Sequence, residues 1–216
     1  MIHFLTMAAA RQRLLRKVSP VGQAYFTTPG TFTWTCPEGV TEVSLALVGT
    51  GGQGKYSNTS SQRALGAGGN VRYINKVPVV PGQTYDITIP NKPSGQTSRD
   101  VSALGYTSSS PLSVTVKGGN GSPTKSTTSS SIRGGSVGFL DVGDYTGAGI
   151  DLKTFQAVAQ DTAGPSTRGW PGAAFGGGGG LYQASSGGYS GAPGGGAVRI
   201  IWGDNRAFPD QNIGDL

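Results

Sequence analysis

Residues able to do acid–base, nucleophilic or metal chemistry are few in this chain, and they are scattered. The acids Glu38, Glu42, Asp141, Asp144 and Asp151 sit singly at turns or loop starts, where solvation or capping accounts for them. Hydrolytic acid–base work needs a facing carboxylate pair, and no such pair is spaced here. His3 is the only histidine and Cys36 the only cysteine, so a Cys/His zinc cluster and a Ser-His-Asp triad beyond residue 20 are excluded by count. Cys36 cannot close an intramolecular disulfide, and its place between Thr35 and Pro37 in a strand pattern reads as a small buried hydrophobe.

Glycine runs raise phosphate binding as a second chemistry. Dinucleotide and P-loop sites need the glycines between a strand and a helix, yet Gly49–Gly54 leads into Lys55-Tyr56-Ser57-Asn58 with no helical period, and no run is followed by Gly-Lys-Ser/Thr. No cofactor is expected. The net charge of +6 suggests nucleic acid until it is divided along the chain: Arg11, Arg13, Arg16 and Lys17 carry four of the six charges within the first twenty residues. With +2 left for everything else, no clustered basic patch exists to track a phosphate backbone, and no nucleic acid partner is expected. Aromatics are the remaining chemistry. Tyr106, Trp170, Phe175, Tyr182 and Tyr189 stand among Gly, Ser, Thr and Asn, where they either plug loops onto a core or offer flat apolar platforms with polar rims to a host-surface glycan or receptor.

The elements that would position these rings follow from composition and period. Glycine supplies 38 of 216 residues without a G-X-Y repeat, charged residues are only 13%, and short β-branched or aromatic runs alternate with Gly, Pro, Asn and Ser clusters. That pattern predicts a mainly β chain with long loops. Residues 1–20 mix helix formers with basic residues and stop at Ser19-Pro20, as a short helical or extended arm. Their apolar part is too short to span a bilayer. The same acid-free composition also fits an organelle transit peptide. Strands are expected at Tyr25–Thr27, Thr31–Cys36, Val43–Val48, Val71–Val77, Tyr85–Ile89 and Leu112–Lys117, with turns at Pro29-Gly30, Pro37–Gly39 and Pro81-Gly82. A Gly/Ser/Thr-rich insertion over about 120–195 carries a short strand at Val137–Val142 and a helix at Asp151–Ala159, where Leu152, Phe155 and Val158/Ala159 recur at helical spacing. Five consecutive glycines, Gly176–Gly180, lead through a second cluster into Ala197–Trp202, whose alternation predicts a strand that buries one face. Residues 204–216 have no period and read as an extended tail on the surface or on a neighbour.

The segments FTTPGTFTWTCPEGVTEVSLALVGTGGQG, Pro81-Gly82-Gln83-Thr84-Tyr85 and Ala197–Trp202 resemble the glycine-rich domain of bacteriophage virion proteins, especially tail-fibre and adhesin-like proteins. The continuation Asn205-Arg206-Ala207-Phe208-Pro209 is similar to marine cyanophage structural proteins. The resemblance covers roughly residues 24–209, with 120–175 matching only in composition. Cys36 stands where the family usually has an aliphatic residue, and glycine runs shorter than those of the most glycine-rich adhesins put a lattice of packed polyglycine helices in doubt. What the resemblance implies is a non-enzymatic virion protein on the tail, built on an antiparallel, jelly-roll-like β-sandwich over residues 21–203. A capsid decoration or head-fibre protein is the alternative, and a tail-associated polysaccharide-degrading enzyme the second. It also implies other phage structural proteins as partners and a trimer as the number common in fibres, while exposed strand edges by themselves predict a homo-oligomer. Outside the resemblance, the arm's chemistry suits docking: Arg11, Arg13, Arg16 and Lys17 would pair with acids on a neighbouring virion protein while Phe4, Leu5, Leu14 and Leu15 bury apolar area.

Overall fold

Thr/aromatic and Val/Ile runs punctuated by Pro-Gly dipeptides fold here as antiparallel strands joined by tight turns. The computed structural model describes residues 20–54, 64–92, 101–105, 114–116, 121–123, 131–132, 149–154, 156–158, 172–184, 187–209 and 211–216. Its strands in chain order are β1 (Gly22–Phe26), β2 (Gly30–Thr35), β3 (Glu42–Val48), β4 (Ala64–Gly66), β5 (Val71–Pro78), β6 (Thr84–Ile89), β7 (Val101–Gly105) and β8 (Val114–Val116). The later ones are short until the last: β9 (Gly121–Pro123), β10 (Ser131–Ile132), β11 (Gly149–Ile150), β12 (Ala157–Val158), β13 (Leu181–Ala184), β14 (Gly187–Ser190) and β15 (Ala197–Trp202). No helix occurs among the described residues.

Two four-stranded antiparallel sheets form the body, ordered β1-β15-β3-β5 and β2-β6-β7-β8. Period-2 alternation in β2 and β6 sends Trp34, Tyr85, Ile87 and Ile89 inward, where they meet Val43, Leu45, Leu47, Val198, Ile200 and Trp202 of the first sheet in one buried cluster. Aromatic rings tie the two layers: Trp34 lies 5.7 Å from Trp202 and 5.8 Å from Tyr85. Cys36, 1% exposed, belongs to this core, and burial pushes its thiol pKa up. The Pro81-Gly82 turn closes as its composition requires, with Gly82 at φ 76 and Gln83 N–H donating to the Val80 carbonyl at 3.1 Å.

Two expectations are corrected. The alternation over Ala197–Trp202 suggested one buried face, but all six residues of β15 are buried. The strand lies second in its sheet, and the far face is covered by a second apolar cluster of Ala46, Val48, Ala197 and Ile201 with Ile150, Leu152, Phe208 and Ile213. The C-terminal residues therefore lie on the chain's own first sheet. The helix read over Asp151–Ala159 is absent: Asp151 Oδ1 accepts from the Lys153 N–H at 2.7 Å, residues 152–154 turn, and β12 returns against β11 with Ile150 opposite Ala157. A local Asx turn prevails over the weak period because it lets both Ile150 and Leu152 reach the second cluster. The strand expected at Val137–Val142 lies outside the described residues.

Candidate functional site

The glycine clusters are one structure. Four segments, residues 49–54, 66–70, 176–180 and 191–195, lie side by side and are joined by backbone hydrogen bonds whose donors recur every third residue. Gly49 and Gly52 donate to Asn70 and Ala67 of the second segment, whereas Gly51 and Gly54 donate to Gly194 and Gly191 of the fourth. Gly66 and Gly69 donate to Gly179 and Gly176, Gly191 and Gly194 to Gly180 and Gly177, and Gly179 returns a bond to Gly52. A period of three is what the three-residue turn of polyproline II geometry produces when each turn faces a fixed neighbour. Short runs thus do assemble a small glycine lattice, contrary to the expectation from their length, because four separate stretches of the chain each contribute one rod.

The approach between rods explains the residue type. A Cβ on Gly66 would stand 1.8 Å from the Gly52 carbonyl oxygen, and one on Gly178 would stand 2.0 Å from the Gly66 oxygen. Only a Cα hydrogen fits, and the spacing suits weak Cα–H···O contacts between rods. Gly176–Gly180 are all buried, so this is a core held by satisfied backbone groups and not by side chains.

Strand connections fix where the lattice sits. It continues β3 past Val48 and precedes β5 and β15, so it caps the end of the first sheet where Val48 pairs with Ala197. From its third rod grows the β13–β14 hairpin, which returns directly into the fourth. Tyr182 and Tyr189 are register partners across that hairpin, and Tyr189 is 41% exposed. Phe175 is half-buried against the second cluster, with its backbone exchanging hydrogen bonds with Ile150 at 3.0 and 3.2 Å. Tyr106 and Trp170 lie outside the described residues, as do the arm residues Phe4, Leu5, Arg11, Arg13, Leu14, Leu15, Arg16 and Lys17.

A second polar constellation, not anticipated from the sequence, lies on the covered face of the first sheet. Arg199 of β15 is fully buried; its Nη1 donates to the Leu152 carbonyl at 2.6 Å and its Nη2 to Gln23 Oε1 at 3.1 Å and to the Ile213 carbonyl. Its guanidinium lies 4.8 Å from the centre of the Tyr25 ring. Arg206 donates to the carbonyls of Gly22 at 2.7 Å, Asn212 at 2.8 Å and Gly214 at 2.6 Å. Burial lowers both arginine pKa values. Asp215 accepts from the Tyr25 hydroxyl and pairs with Lys153, which hold its carboxyl down at about 2; burial and that same bond push the Tyr25 phenol up. The two arginines thus clamp the C-terminal segment by its carbonyls. The one clue in the sequence was an arginine inside an otherwise apolar strand.

Beside this clamp a cleft of about 360 Å³ runs between Glu42, Lys76 and residues 203–207. Its inner polar groups are already engaged: Asn75 exchanges two hydrogen bonds with the Phe208 backbone and Ser44 donates to the Arg206 carbonyl. It is a seam between tail and sheet. Among the described residues no group of three His, Cys, Asp or Glu side chains could hold a metal ion, and no helix is long and apolar enough to cross a membrane.

Two packed antiparallel sheets with a backbone-bonded glycine lattice at one end define a mainly β, glycine-rich domain. The chain belongs to the glycine-rich domain family, whose model matches residues 27–206 and so takes in every strand but β1, together with all four rods. No curated protein matches the chain.

Proposed function

We propose that this protein is a non-enzymatic structural component of a bacteriophage particle, a short tail fibre or adhesin-like subunit. Residues 1–20 hold it to a neighbouring virion protein, and the glycine end is displayed toward the host surface. The observation that carries this reading is the separation of the two ends. The arm enters at Pro20, beside Gly22, which pairs with Trp202, while the lattice begins past Val48 and Ala197 at the other end of the same strands. Six strand residues put roughly 20 Å between them. One end is therefore free to dock through Arg11, Arg13, Arg16 and Lys17 while the other presents the β13–β14 hairpin with its exposed Tyr189.

A lattice of hydrogen-bonded glycine rods supports this reading on physical grounds as well. It gives an uncharged platform, held by backbone hydrogen bonds, from which the β13–β14 hairpin projects. Deleting residues 1–20 tests the arm: the truncated protein is expected to melt as the full chain does yet fail to enter particles. Normal incorporation of a folded truncation would refute anchoring by the arm.

A further inference from the structure

Four strands edge the two sheets, and three of them are blunted. β5 carries the exposed Arg72, a register shift against Val43/Leu45 with Lys76 at φ 57, and Pro78 at its end. β1 lies under the C-terminal clamp, with its Gly22 carbonyl accepting from Arg206 and its Gln23 and Tyr25 side chains bonded to Asp215. β8 is three residues long and is followed in sequence by Lys117. Charge, proline, bulges, shortness and coverage are the devices by which folded proteins stop an edge from adding a further strand.

Among the described residues, β2 has none of them. Its six residues, Gly30-Thr-Phe-Thr-Trp-Thr35, run in unbroken register along β6, without a charge, a proline or a bulge. Thr31, Thr33 and Thr35 are exposed, and the sequence has high strand propensity throughout. At the corner where β1 turns into β2, Phe26 and Phe32 lie 5.4 Å apart with their rings tilted, half-buried and packed against the core between the sheets. An uncharged strand edge that no described element covers can take a further strand.

We infer that the open edge of β2 is a homodimer interface, in which two copies pair their Gly30–Thr35 strands antiparallel about a two-fold axis and join their four-stranded sheets into one of eight. The occupant is a second copy because the edge complements itself. Antiparallel pairing sets threonine rows beside threonine rows, where hydroxyls bond across strands. No charge opposes its twin at the axis. A single six-residue strand pair is at the small end of specific interfaces, so weak association, with dissociation on the order of micromolar, is expected. The assignment is independent of the phage reading, and it names a two-fold contact where the fibre resemblance implied a trimer.

Sedimentation of the full chain over a wide concentration range tests it, with Thr33→Lys and Thr33→Glu as variants. Thr33 is exposed, so both variants are expected to keep the wild-type melting curve. The wild type should sediment as a monomer–dimer equilibrium. Each variant alone should dissociate at least about tenfold more readily through like charges near the axis, and an equimolar mixture should recover dimers. A wild type that stays monomeric well above micromolar concentration or forms trimers overturns the assignment. So does a folded Thr33→Lys that dimerises as well as wild type, or a mixture that fails to associate.

Discussion

Replacing Gly66 by alanine probes the lattice at its tightest crossing. The new methyl carbon would stand 1.8 Å from the Gly52 carbonyl oxygen, where ordinary contact begins near 3.4 Å, so two rods must part by about 1.5 Å. Both are backbone, and no side-chain rotation can relieve the clash. Three hydrogen bonds meet at that crossing: Gly66 to Gly179 at 2.9 Å, Gly179 to Gly52 at 2.9 Å and Gly52 to Ala67 at 2.8 Å. At about 0.5–1.5 kcal/mol each, with an overpacking strain of about 1–3 kcal/mol, the expected loss is about 3–7 kcal/mol. For a chain of this size that lowers Tm by roughly 10 °C or more. Gly195→Ala is the control, since its methyl would lie an ordinary 3.5 Å from Lys92 Cε and should change stability by less than about 0.5 kcal/mol. Differential scanning calorimetry measures both. A Gly66→Ala protein that melts with wild type would show that the rods are not packed as described.

Three more outcomes follow from the core and the C-terminal clamp. Trp202→Ala removes a ring that is 9% exposed and packed on Trp34, and should cost about 3–5 kcal/mol in denaturant unfolding; an unchanged midpoint would contradict its burial. Asp215 has its pKa depressed to about 2 from 3.8, so its contribution is complete above about pH 4 and is lost as pH falls toward 2. Tyr25 has a raised pKa, so its contribution holds below about pH 10 and is lost as the phenol ionises at higher pH. Hydrogen-exchange protection factors over residues 211–216, taken against the intrinsic rate at each pH, should therefore be highest between those limits, and Asp215→Asn should flatten the acid limb; protection that stays constant across pH 2–4 would refute the coupling. Cys36 is buried with a raised pKa, so a thiol reagent at neutral pH should react only on unfolding. Rapid labelling of the native protein would contradict its placement.

Local chemistry was legible in the sequence where it is decided locally. Thr31–Cys36, Val43–Val48, Val71–Val77 and Tyr85–Ile89 became β2, β3, β5 and β6 within a residue or two, because each couples strand propensity to a turn dipeptide that leaves few alternatives. Contacts made by distant partners were not legible. Nothing near Ala197–Trp202 announces that Leu152 and Ile213 will cover its far face, so one buried face was expected and two were found. The apolar spacing of Leu152 served a β11–β12 turn pressed on that face and not a helix. The lattice was hidden for the same reason: no single run is long enough, and its three-residue period exists only between rods contributed from residues 49 to 195. Tyr189 was expected among the loop aromatics and lies instead on strand β14, and its hairpin pairing with Tyr182 depends on rods that flank both ends.

The reading as a tail-displayed virion protein is tested most directly by labelling intact particles with an antibody raised against residues 121–195 and imaging them by electron microscopy. The account predicts label at the tail, with the glycine end accessible. Label spread over the head would contradict the tail assignment in favour of a decoration protein, and particles without label would contradict the virion reading itself.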